Sequence, residues 1–133
     1  IRAVSDKLLI TTDDGSYVRK GFVTDVLKER LAGAPEIDFA VAIGPVPMMK
    51  AVAGVTRTAG VPTIASLNTV MIDGTGMCGG CRVTVGGAVK YTCVDGPEFD
   101  AHQVDFDELQ RRLGMYREQE QHVAEACKLA DVP

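Results

Sequence analysis

Residues 39–67 read FAVAIGPVPMMKAVAGVTRTAGVPTIASL, and this stretch decides the fold. Phe39–Ile43 is a continuous apolar run, the pattern of a strand buried on both faces. Gly44 and Pro45 break it. Met48, Met49, Val52 and Val55 then recur at helical spacing, Gly60 closes that helix, and Thr63–Leu67 is a further strand. Upstream, Lys7–Thr12 (KLLITT) is a β-rich run followed by the turn residues Asp13, Asp14, Gly15 and Ser16. Phe22, Val23, Val26, Leu27 and Leu31 place an amphipathic helix over about Gly21–Leu31, ending at Gly33-Ala34-Pro35. Strand–helix–strand–helix–strand at these lengths is a βαβαβ unit, so the class is α/β with a parallel sheet. Ligands of such sheets bind beyond the carboxyl ends of the strands. Those ends carry Asp13–Ser16 and Gly44–Pro47.

Composition narrows the function classes. The 133 residues suit one compact domain, and 46% apolar is enough for a core. A net charge of −4 argues against a nucleic-acid-binding surface, which needs clustered Lys and Arg. No apolar run reaches the roughly 18 residues that a membrane span requires, and no signal-peptide pattern is present. The chain begins at Ile1 rather than Met, and it is expected to be a piece of a longer protein.

Beyond Leu67 the character changes. Residues 72–81 (IDGTGMCGGC) are too rich in glycine for regular structure. Arg82–Val85 and Ala88–Tyr91, joined by Gly86-Gly87, read as a β-hairpin, and Asp95-Gly96-Pro97 as a turn. From Asp105 onward Phe106, Leu109, Leu113, Tyr116, Val123, Cys127 and Ala130 follow spacings of three and four, broken only at Glu120, and read as one helix with Asp105 or Asp107 placed for its N-terminus.

Three of the four cysteines, Cys78, Cys81 and Cys93, fall within sixteen residues. A chain with its own core needs no disulfide framework, and clustered cysteines of this kind point to metal or redox chemistry in a cytoplasmic protein. Cys78-x2-Cys81 sets two thiols on one tight loop, and Gly79 and Gly80 leave room for backbone N–H groups to face a sulfide. A [2Fe–2S] centre takes four ligands, and the plant-type spacing C-x4-C-x2-C…C puts the remaining one five residues before Cys78, at Asp73. Two other readings stay open on spacing alone. One is a zinc site stabilising a non-enzymatic interaction domain; the other is a dithiol pair with Cys93 incidental. His102 reads as a solvated loop residue and Cys127 as a small core hydrophobe.

At IDGTGMCGGCRVTVGG…VKYTCVDGPEFD, together with TTDDGSYVRKGFVTDVL and AIGPVPMMKAV, the chain resembles a known family. It is similar to the flavoprotein small subunit of NADH-dependent ferredoxin:NADP oxidoreductase, also called a sulfide dehydrogenase subunit. More distantly it is similar to the electron-transfer subunit of dihydroorotate dehydrogenase and to a subunit of archaeal soluble hydrogenases. The resemblance implies a ferredoxin-reductase-type architecture: a partial NAD(P)-binding α/β domain over 1–70, a cluster-binding segment over 71–100 and a C-terminal helix over 101–133. It implies Asp73, Cys78, Cys81 and Cys93 as cluster ligands, and Asp13, Gly15, Ser16, Gly44, Pro45 and Met48 in loops that receive the nicotinamide dinucleotide. Two departures stand out. Ile43 occupies a position before Gly-Pro where the superfamily often has Cys, and neither the glycine-rich first βα turn nor the FAD barrel is found in these residues. The chain alone is therefore expected to bind no FAD, to hold NAD(P)H weakly and to be inactive. The full-length protein is expected to be an oxidoreductase relaying electrons between FAD and a larger flavin- and iron–sulfur-containing partner subunit, with ferredoxin served indirectly.

Overall fold

The computed structural model describes residues 3–33 and 37–127. Its elements are α1 (Val23–Gly33), β1 (Ala40–Ile43), α2 (Val46–Ala59), β2 (Thr63–Ser66), β3 (Arg82–Val85), β4 (Ala88–Tyr91), α3 (Thr92–Asp95), β5 (Glu98–Asp100), α4 (Phe106–Leu113) and α5 (Arg117–Ala126). The class is mixed α/β, as read from the sequence. β1 and β2 pair in parallel, with Ala40 opposite Thr63 and Ile43 opposite Ser66. α2 makes the crossover and stops at Gly60, whose φ of 70° is the left-handed conformation that ends helices. β5 joins the far side of β2 antiparallel, giving the order β1-β2-β5.

The core lies between this sheet, α2 and α4. Met49, Ala65, Val83 and Leu109 are each no more than 1% exposed, with Leu67 and Phe99 beside them. Full burial of a Met or Leu side chain contributes about 1.5–3 kcal/mol of transfer free energy. α4 is anchored at both levels. Asp105 caps it by accepting from the Glu108 N–H at 2.8 Å, and Lys50 on α2 pairs with Asp107 at 2.5 Å.

Several expectations need correction. Lys7–Thr12 is not a strand: Leu8 and Leu9 are exposed, and only an isolated bridge joins Thr12 to Lys20. β propensity is realised only against a neighbouring strand, and among the described residues none lies beside this run. The sheet therefore holds two parallel strands, not three. β1 is not buried on both faces, because it is an edge strand: Val41 is 56% and Ile43 71% exposed. β5 was not anticipated; the turn residues before it obscured a three-residue alternation that turns only Phe99 inward. The single C-terminal helix is two. α4 ends at Gly114, where the poorest helix former after proline interrupts it, and α5 buries no residue. Cys127 is consequently exposed at the end of α5 rather than part of a core, and Ala130 lies outside the described residues. His102 is not a solvated loop residue. Its Nε2 lies 3.0 Å from Oγ1 of the fully buried Thr56, whose hydroxyl donates to the Val52 carbonyl.

The hairpin forms with the anticipated boundaries. Its register is Arg82↔Tyr91 to Val85↔Ala88, and Gly86 (φ 59°) and Gly87 (φ 79°) supply the positive φ pair of a type I′ turn. Among the described residues no helix is long and apolar enough to cross a membrane.

Candidate metal centre

The hairpin register builds the centre. Arg82 opposite Tyr91 closes the open end of the ladder, so the residues just outside it, Cys81 and Thr92–Cys93, become neighbours. Thr92 tightens the junction: its N–H and its hydroxyl both donate to the Cys81 carbonyl, at 3.2 and 2.9 Å, and its side chain is fully buried. The Cys81 and Cys93 sulfurs stand 3.2 Å apart. Both are free thiols, since a disulfide would hold them at about 2.05 Å. Cys81 is buried, Cys93 half-buried and Cys78 exposed.

The loop from Ile72 to Gly80 lies over this pair. Gly74, Gly76 and Gly79 all take positive φ, at 75°, 80° and 69°, so the chain winds in turns that other residues resist. Gly76 also passes close to Val94, whose methyl would lie 3.0 Å from any added Cβ. Asp73 organises the winding. One carboxylate oxygen accepts from the Thr75 N–H at 2.9 Å and the other from the Cys78 N–H at 3.2 Å. The Gly80 N–H points at the Cys78 sulfur, 3.4 Å away. Backbone donors aimed at sulfur stabilise thiolates, the form that binds metal.

The electrostatics follow from these contacts. The Thr75 N–H, with smaller help from Cys78, holds the Asp73 carboxyl below its usual range against a modest opposing effect of desolvation. The Cys93 thiol is pushed up, first by its hydrogen bond with Cys81 and then by desolvation, while the Gly76 N–H opposes the rise. Because the folded Asp73 pKa is depressed, its ordering of the loop is fully present above the ordinary carboxylate value of about 3.9 and is lost as pH falls through the lower folded value. The amide resonances of Thr75 and Cys78 should therefore titrate together on acidification, with a midpoint below the ordinary carboxylate value. Midpoints at the ordinary value would show that the carboxylate does not hold the loop.

Of the expected ligands, the structure brings Cys81 and Cys93 into contact and ties Asp73 to Cys78 through its N–H. Among the described residues no three such donors converge on a single point. The donor set fits a cluster nonetheless. Two thiolates on one tetrahedral metal with bonds of about 2.3 Å stand roughly 3.7 Å apart, so the 3.2 Å pair needs only a small opening. Asp73 keeps free lone pairs on both oxygens, since each accepts one hydrogen bond. Sequence reasoning missed Thr92; the only signal was that a Thr adjoins Cys93 at the hairpin base.

The expected nucleotide loops lie elsewhere. Asp13, Pro45 and Met48 line one cleft of about 600 Å³ between the starts of α1 and α2, with Phe22 and Thr24. Gly15 and Ser16 are not in its lining. They belong to a turn in which the Ser16 N–H donates to Asp14 at 2.9 Å. Gly44 sits behind the cleft at φ 152°, where an added Cβ would press on the Met48 methyl at 2.9 Å.

Two thiols in contact under a glycine-wound loop, on a small α/β frame, are the geometry to set against known proteins. Residues 68–105 match the family described as the iron–sulfur cluster binding domain of dihydroorotate dehydrogenase B. The chain is 53% identical over 119 residues to a dihydroorotate dehydrogenase B (NAD(+)) electron transfer subunit homolog of Thermotoga maritima, covering 90% of this chain and 42% of that protein. It is 52% identical over 121 residues to an uncharacterized protein of the adh 3′ region of Clostridium beijerinckii, covering 90% of this chain and 41% of that one. It superposes with a TM-score of 0.81 and 51% identity on a chain of the NADH-dependent reduced ferredoxin-NADP oxidoreductase solved in work on flavin-based electron bifurcation, covering 93% of this chain and 44% of that chain. Over 68–105 the chain is thus similar to a cluster-binding family, and over most of its own length it is similar to proteins described as electron-transfer subunits. It spans less than half the length of these relatives.

Proposed function

We propose that Asp73, Cys78, Cys81 and Cys93 hold a [2Fe–2S] cluster, with Cys81 and Cys93 on one iron and Asp73 and Cys78 on the other. The observation that carries this reading is the 3.2 Å approach of the unbonded Cys81 and Cys93 sulfurs, beneath the loop that presents Asp73 and Cys78. When bound, such a cluster takes up and releases one electron at a time. The chain's own residues do the rest. Buried Cys81 and Thr92 fix the inner side, the Gly80 N–H directs its dipole at the Cys78 sulfur, and exposed Cys78 leaves the outer side open for electron exchange. Mononuclear zinc is less well supported, because it needs donors converging on one point.

In the full-length protein this arrangement serves an oxidoreductase of the ferredoxin–NAD(P) reductase type. Electrons from NAD(P)H pass through FAD, and the cluster domain relays them singly between the flavin and a larger partner subunit. Ferredoxin is reached only through that subunit. The cleft at Asp13, Pro45 and Met48 supports a contribution of this chain to the dinucleotide site. The test is anaerobic reconstitution with iron and sulfide. About two irons and two sulfides per chain and a visible charge-transfer spectrum are expected. Stoichiometric zinc, colourless and without sulfide, overturns the reading.

A further inference from the structure

The loop between Cys78 and Cys81 is held from outside the cluster-binding segment. Gly80, the last residue of the Cys78-Gly79-Gly80-Cys81 turn, is fastened on both of its peptide planes. Its N–H faces the Cys78 sulfur at 3.4 Å, and its carbonyl accepts from Nη2 of Arg112 at 3.3 Å. Arg112 comes from the last turn of α4, thirty-two residues away. Its helix is set against the core by fully buried Leu109, and the side chain is half-buried in a cleft of about 280 Å³ that it lines together with Cys78. Among the described residues the ion pairs within 4 Å are Arg19–Glu29 and Lys50–Asp107; Arg112 is in neither, and Glu120 lines the same cleft. A half-buried guanidinium that spends a hydrogen bond on a backbone carbonyl of the cysteine turn is placed to hold that turn and to lend it positive charge.

We infer that Arg112 is a positioning residue of the cluster site: it locks the Gly79–Gly80 turn through the Gly80 carbonyl and sets a positive charge beside the Cys78 side of the cluster. This rests on the ligand assignment above. Two consequences follow from physical chemistry. Losing a charge-assisted hydrogen bond loosens the turn that carries Cys78, so the loaded site opens more often. A cluster gains one negative charge on reduction, and a nearby cation stabilises the reduced form more than the oxidised one, raising the potential. The side chain does both from a helix that supplies no ligand.

The experiment compares reconstituted parent, Arg112→Gln, Arg112→Lys and Arg111→Gln. Arg111 is exposed on the same helix turn and removes the same charge without touching the loop. Bleaching by an iron chelator and the midpoint potential from a spectroscopic redox titration are measured for each. Arg112→Gln is expected to bleach about tenfold faster and to titrate at a lower potential. Arg112→Lys should recover most of the potential but only part of the retention, since an ammonium keeps the charge without the planar fork. Arg111→Gln should match the parent in both. Parent-like bleaching and potential in Arg112→Gln overturn the inference, as does an equal loss in Arg111→Gln. If Arg112→Gln does not fold, Arg112→Lys decides: faster bleaching at near-parent potential supports the role, and parent-like bleaching overturns it. A parent that never acquires iron and sulfide overturns the ligand assignment itself and this inference with it.

Discussion

Cys81→Ala is expected to abolish iron and sulfide binding altogether, whereas Asp73→Cys should keep a cluster and lower its potential. The two outcomes differ because the two residues sit differently. Cys81 is 2% exposed, in contact with the Cys93 sulfur, and its carbonyl is tied down twice by Thr92. No other donor can take its place from inside the hairpin base, so one iron is left with a single protein ligand. Asp73 lies at the entrance of an exposed loop, and a thiolate there meets the same iron with stronger electron donation, which favours the oxidised state. Asp73→Ala separates the two roles of that carboxylate. It removes the ligand and also the acceptor for the Thr75 and Cys78 N–H groups, so it should load poorly and bleach quickly. Asp73→Asn is the control, since it keeps one acceptor oxygen with little affinity for iron. Total iron, acid-labile sulfide and the visible spectrum read all four. Full loading of Cys81→Ala, or identical spectra and potentials for parent, Asp73→Cys and Asp73→Ala, would sink the assignment.

How far this centre could be foreseen depends on the range of the forces that make it. The hairpin was legible because Gly86-Gly87 and the alternation on either side are local, and once its register is known the meeting of Cys81 with Cys93 follows. The α2 helix was legible for the same reason, from Met48, Met49, Val52 and Val55 at helical spacing and a glycine stop, and of these Met49 and Val52 are buried. Lys7–Thr12 failed as a strand because pairing is not local: the same apolar run needs a neighbour, and none stands beside it among the described residues. The break at Gly114 was hidden by the apolar spacing from Leu113 to Tyr116 that runs across it, although α5 buries no residue. Arg112 carries no sequence signal, since a charged residue near a helix C-terminus has an ordinary reason to be there. Its contact with Gly80 comes only from the way α4 lies across the hairpin and α2.

That dependence makes α4 the structural keystone of the site, and Leu109→Ala is the largest stability effect expected outside the ligands. Leu109 is 1% exposed, one of the largest fully buried side chains, and it lies in the core with Met49, Val83 and Phe106. Truncation removes the transfer free energy of the lost carbons and leaves a cavity that its well-packed neighbours fill only in part, so a cost of about 2–5 kcal/mol is expected. Against a typical domain stability of about 5–15 kcal/mol this is a large fraction. The Asp105 cap and the Lys50–Asp107 pair cannot offset it, because both lie on the exposed side, where ion pairs are weak. Val123→Ala is the matching control: Val123 is 67% exposed on α5, and its truncation should change stability by less than about 0.5 kcal/mol. Urea denaturation followed by circular dichroism measures both. A midpoint for Leu109→Ala within error of Val123→Ala would mean that α4 does not hold the core together. If α4 does carry Arg112 to the loop, the same Leu109→Ala protein should also bleach faster than the parent under native conditions, before any global unfolding is detected.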